Sequence, residues 1–160
     1  MEHVILKYRT DADAIRFYVA SGLENRDSAK IVIEELESQG WKCTYNWTIH
    51  EAAYNRGKEF CREIASNEVN GVCDADVVIV ILPGGRGTHG ELVGALCCGT
   101  PVVIYSEKQL ECDSTTCAFY WHPLVHRTTN RNLYGEVLVL LEQIGFTRKF
   151  QQEVDVYEGR

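Results

Sequence analysis

Between residues 75 and 96 the sequence reads ADVVIVILPGGRGTHGELVGAL, an apolar run joined to a helical pattern through a turn that holds Gly84, Gly85, Arg86 and Gly87. Glycines in such a turn let backbone N–H groups approach an anion with no Cβ in the way, and the helix N-terminus adds partial positive charge. Glu91 lies just past the turn and is the only strong nucleophile or base in it. This combination suits work on a phosphorylated or sugar-bearing ligand. A plainer role for the same residues is a capping box, in which Thr88 bonds the backbone N–H of Glu91 and the Glu91 carboxylate reaches back to Thr88. Three glycines in four positions exceed what a cap requires, so a ligand site is the expectation. Arg86 suits bidentate pairing with phosphate, with Ser21, Gly22, Thr88 and His89 as further donors; a solvated Arg86 is the plainer alternative.

The elements that must position these residues alternate between short apolar β-type runs and helical patterns, the signature of a parallel sheet with helices on both faces. Residues 15–20 (IRFYVA) read as the first strand, ending at Ser21-Gly22. Residues 25–39 read as an amphipathic helix with Ala29, Val32, Ile33 and Leu36 on one face, closed by Gly40. A short strand follows over 42–45. A long polar helix is then expected from 50 to about 72, with Ala53, Phe60, Ile64 and Val69 inward. The unbroken VVIVIL of residues 77–82 is the strongest strand and implies burial on both faces. A capped helix is expected over 88–98, stopped by Gly99, and a buried strand over 102–105. Residues 106–129 are irregular and aromatic-rich, with one short edge strand near 124–127. A loop of this length is more often functional or partner-facing than idle. Residues 132–144 form the last helix, with Leu133, Val137, Leu140, Leu141 and Ile144 inward; residues 1–13 and 147–160 are peripheral.

Five strands with right-handed crossovers give a single flavodoxin- or Rossmann-like α/β domain, mainly parallel, in the order 2-1-3-4-5. The domain spans residues 1–160, with its core over about 15–146. Such a sheet binds ligands at the carboxyl ends of the strands flanking its switch point, here residues 18–22 and 83–91, which then face each other across one crevice.

Composition narrows the classes of partner. The 160 residues are 45% apolar and 24% charged, with a net charge of -7 and 16 scattered Lys and Arg, which argues against nucleic acid as the main partner. No apolar stretch reaches the length of a membrane span, and MEHVILKYRTDADA lacks the layout of a signal peptide, so a cytoplasmic protein is expected. Seven cysteines without a CxxC pair support neither a zinc site nor a disulfide framework; they read as small core residues and free thiols. No cofactor or metal is implied.

Together, Tyr18, the strand-turn-helix run and Glu91 resemble the nucleoside 2-deoxyribosyltransferase family, whose members cleave N-glycosidic bonds. The likeness spans roughly residues 16–141 and is clearest at FYVASG (17–22), NEVNG followed by ADVVIV (67–80) and GTHGELVGAL (87–96). It implies that Glu91 attacks the anomeric carbon, where a carboxylate stabilises an oxocarbenium-like transition state and then bonds covalently. It implies that Tyr18 orients this nucleophile, with a core tyrosine as the alternative, and that Glu68 holds the nucleobase, with a solvated helix-end carboxylate as the alternative. A second base-binding aspartate of the family falls at about Gly85, so base identity stays open while the loop becomes better suited to phosphate. The family builds its pocket between protomers. A homo-oligomer, with His122 approaching the site from the long loop or a neighbouring subunit, is therefore expected, although a histidine beside aromatics is more often packing.

Residues 83–91 also match the PGGxGTxxE motif of phosphoribohydrolases that release cytokinin bases from nucleoside monophosphates. The arginine-lysine pair of those proteins is missing from residues 67–74. Both families cut the bond between sugar and base. A nucleotide-binding sensor domain without turnover is the alternative from another class.

Overall fold

The structure is a computed structural model and describes residues 14–50 and 52–145. The segments expected to be peripheral lie outside the described residues. Five parallel strands form one sheet: β1 (Arg16–Ser21), β2 (Lys42–Cys43), β3 (Val77–Ile81), β4 (Val102–Tyr105) and β5 (Val125–Thr128), in the order β2-β1-β3-β4-β5. Four helices accompany it: α1 (Arg26–Ser38), α2 (Lys58–Asp74), α3 (Arg86–Cys97) and α4 (Leu133–Gln143). The expected α/β class and strand order are what the chain adopts.

The central strands carry the core. Every residue of β3 is buried, as are Phe17, Tyr18, Val19 and Ala20 of β1 and Val102, Val103 and Ile104 of β4. Apolar runs of this kind suit strands covered by helices on both faces. Helix α1 lays Ala29, Ile33 and Leu36 on the sheet, and α4 contributes Leu133, Val137, Leu140 and Leu141, the faces their periodicity predicts. Asn132 begins α4 by accepting a hydrogen bond from the Gly135 N–H at 3.1 Å.

Five expectations need correction. The long helix over 50–72 begins only at Lys58, because residues 47–49 and 53–56 form separate 3-10 turns and Gly57 takes a positive φ of 91° that breaks the path between them. Within it Ile64 is buried, but Val69 is 62% exposed; the side chain of Ala53 lies outside the described residues. Ile144 follows the end of α4 and is 45% exposed. Helix α3 starts two residues before the expected Thr88, with Gly85 as its N-cap, so Thr88 falls at the third helical position. Its hydroxyl reaches back to accept the Gly85 N–H at 3.1 Å, and Glu91 is left out of any capping box. The cysteines do not fill the core: Cys73, Cys97, Cys98 and Cys112 are exposed, and Cys43, Cys61 and Cys117 are half-buried.

Candidate active site

The site begins with a fully buried aromatic on a central strand. Tyr18 pairs in register with Val78, and its ring packs against the backbone of α2 at Gly71. A Cβ there would stand 2.7 Å from the Tyr45 Cβ and 3.1 Å from the Tyr18 ring, so only glycine lets α2 come this close to β1. Thr44 secures the same approach by donating its hydroxyl to the Gly71 carbonyl at 2.7 Å.

Across the switch point, α3 brings Thr88, Leu92 and Ala95 onto the core at helical spacing. Glu91 shares that side, and its carboxylate accepts the Tyr18 hydroxyl at 2.5 Å. Two residues 73 apart in sequence are thereby joined by one short hydrogen bond. Burial pushes the Glu91 carboxyl up to about 7, the Tyr18 hydrogen bond works the other way, and the charge of Glu68 adds to the rise. Burial, with the Glu91 charge second, raises Tyr18 above its ordinary value and keeps the phenol a donor. Burial also raises Glu68.

Glu91 opens onto a cavity of about 400 Å³. Its lining gathers Ser21, Gly22, Glu68, Gly85, Arg86, Gly87 and Thr88, so most of the sequence-predicted residues meet there. Within that group, the Ser21 hydroxyl donates to the Ile81 carbonyl at 2.8 Å, locking the ends of β1 and β3 together. The glycine turn is held from both sides: Asn25 donates to the Pro83 carbonyl at 2.8 Å, and a Cβ on Gly84 would press to 2.5 Å from the Thr88 side chain. Arg86 stands at the first position of α3 and is exposed, with no acidic partner among the described residues.

Three expected residues fall elsewhere. Gly84 and His89 line a second, larger cavity of about 1250 Å³ on the opposite side of the turn. His89 is held there by the Gly85 carbonyl on Nδ1 and the Tyr120 hydroxyl on Nε2, both at 2.7 Å, and its ring stacks on Tyr120. His122 borders neither cavity; its Nδ1 accepts the Leu124 N–H at 3.2 Å and shapes the turn into β5.

Sequence reasoning missed four contributors to the smaller cavity: Arg26, Tyr45, Trp47 and His50. Arg26 begins α1 and has no acidic partner among the described residues, so two free guanidinium groups border the cavity. Tyr45 and His50 stack with ring centroids 6.0 Å apart, and Trp47 is anchored by its indole N–H on the Val19 carbonyl at 2.7 Å. The signal was available: residues 44–50 leave the carboxyl end of β2, the same edge of the sheet that defines the crevice. Among the described residues no group of three His, Cys, Asp or Glu is placed to hold a metal ion, and no helix is long and apolar enough to cross a membrane.

No family model matches the sequence, and no curated protein matches it. Among solved structures the chain is similar to that of a Clostridium botulinum CMP N-glycosidase, BcmB, at 18% identity and a TM-score of 0.48, over 78% of this chain and 97% of that one.

Proposed function

We propose that this crevice breaks the N-glycosidic bond of a nucleoside or nucleotide, with Glu91 as nucleophile. The observation that carries the reading is the buried Glu91 carboxylate, gripped by Tyr18 at 2.5 Å, at the wall of a cavity of about 400 Å³, within the range of small-molecule sites. With its pKa raised to about 7, Glu91 is partly ionised at neutral pH and poorly solvated, as a nucleophile should be.

In the first step a Glu91 oxygen attacks the anomeric carbon as the bond to the base nitrogen breaks, and the bonding pair leaves with the base. Tyr18 holds the other oxygen and fixes the line of attack. Glu68, kept protonated further up the pH scale by burial, hydrogen-bonds the base or returns a proton to it. The stacked Tyr45 and His50 offer the base an aromatic wall. Arg26, Arg86 and the free N–H groups at the start of α3 receive an anionic 5′ substituent. In the second step water or another base attacks the anomeric carbon, the ester to Glu91 breaks, and the carboxylate is restored.

The proposed protein is a single domain working in the cytoplasm as a homo-oligomer, its pocket completed by a second copy. Phe119, 49% exposed on the aromatic loop, is the anchor for that pairing, and light scattering measures it. The activity is tested by incubating wild type and Glu91→Gln with nucleosides, deoxynucleosides, their monophosphates and NAD, then separating free base by chromatography. Base release by wild type and a loss of about 1,000-fold or more in the variant are expected. Thermal stabilisation by a ligand without base release would make the domain a sensor. Adding a second base separates transfer from hydrolysis.

A further inference from the structure

Away from the cavity, the C-terminal ends of α2 and α3 bring two thiols together. Cys73 is the second-last residue of α2 and Cys98 caps α3, and their Sγ atoms lie 2.9 Å apart. Both side chains are exposed. The approach is built into the helix packing: Gly94 sits one turn before Cys98 on the same face, and a Cβ on it would touch Val72 at 3.5 Å. A disulfide holds its sulfurs at about 2.05 Å, so these two lie less than about 1 Å from bonding distance.

We propose that Cys73 and Cys98 form a reversible oxidation site, a covalent clasp between α2 and α3 closed by a small-molecule disulfide. One thiolate attacks a sulfur of the oxidant, forming a mixed disulfide and releasing one equivalent of the oxidant's thiol. The second protein thiolate then displaces the other half, forming the Cys73–Cys98 bond and releasing the second equivalent. The protein loses two electrons and two protons, and the oxidant takes up both. The closed ring spans a separation of 25 residues and contains β3, the glycine turn and the helix that carries Glu91. The strand, turn and helix thus stay inside a covalent loop when the rest of the chain loosens, which constrains the unfolded state.

The site does not depend on the activity proposed above and is tested without substrate. Reduced full-length protein is treated with oxidised glutathione, then digested under non-reducing conditions for mass spectrometry, with parallel thiol titration and thermal melts. The expected result is loss of two of the seven thiols, one linked peptide pair joining Cys73 to Cys98, and a Tm higher by roughly 5 °C. Cys73→Ser and Cys98→Ser abolish the linkage and the rise, whereas Cys97→Ser keeps both. A thiol count that stays at seven, a linkage through Cys97 or between chains, or an unchanged Tm in linked protein overturns the proposal.

Discussion

Two glutamates, each held by a hydrogen bond, stand at different places on the sheet and respond to them in opposite directions. Glu91, in the crevice between β1 and α3, accepts the Tyr18 hydroxyl at 2.5 Å and is pushed up to about 7. Glu136, where α4 meets the edge strand β5, accepts from His126 at 2.8 Å and from Asn130 at 2.9 Å, and those hydrogen bonds hold it below the usual carboxylate range. A hydrogen bond alone lowers a carboxyl pKa in both places. What separates them is water: Glu136 keeps enough of it to stay a stable anion, whereas Glu91 loses it to the sheet and to α2. Charge that is comfortable belongs to structure; charge that is not is available for chemistry.

The contrast breaks most visibly at Tyr18. Tyr18→Phe removes the hydroxyl that donates to Glu91, the one such donor among the described residues, so base release falls by about 10- to 100-fold, the value of a hydrogen bond to a charged group. The rising limb of the pH–rate profile moves above 7, because the interaction opposing burial is gone. A merely structural tyrosine would leave that limb in place.

The sign of the stability difference sharpens the same contrast. Glu91 has a folded pKa above its unfolded one, so its contribution to stability is complete below about 4.5 and is lost as pH rises through about 7. Glu91→Gln removes a buried charge and is more stable than wild type by about 2 kcal/mol at pH 8, converging with it near pH 4 in urea titrations. Gly71→Ala comes next, since its Cβ would lie 2.7 Å from that of Tyr45. Overpacking by about 1–2 kcal/mol lowers the Tm by several degrees and raises KM as the aromatic wall shifts. Glu136→Gln gives the smallest effect. Its lowered pKa contributes stability above the unfolded value that fades as pH falls, so the variant loses under about 1 kcal/mol at pH 7 after solvent screening and keeps its base release.

How far these regions were legible in the sequence follows from which interactions define them. The sheet order rests on unbroken apolar strands such as VVIVI, whose burial on both faces is a local property, and it was readable. The place of Glu91 was less legible, because whether it caps α3 or faces the crevice turns on where that helix starts. That start is set by Gly85 and by Thr88 reaching back to it, one register away from the capping box. Tyr45, Trp47 and His50 lie in and beside a 3-10 turn with no periodicity to announce them, and they meet Glu68 only through folding. His89 lines the larger cavity for a related reason: the Tyr120 hydroxyl that it meets comes from 31 residues downstream.

The central claim is that Glu91 carries the sugar, and trapping the ester tests it most directly. Wild-type protein turning over a 2-fluoro-substituted substrate, in which fluorine disfavours positive charge at the anomeric carbon, is quenched in acid, digested and weighed by mass spectrometry. The peptide containing Glu91 is predicted to gain the mass of the sugar portion, and the Glu91→Gln peptide to gain nothing. Base released at the same rate with the Glu91 peptide unmodified, or with the sugar on another residue, would contradict the account.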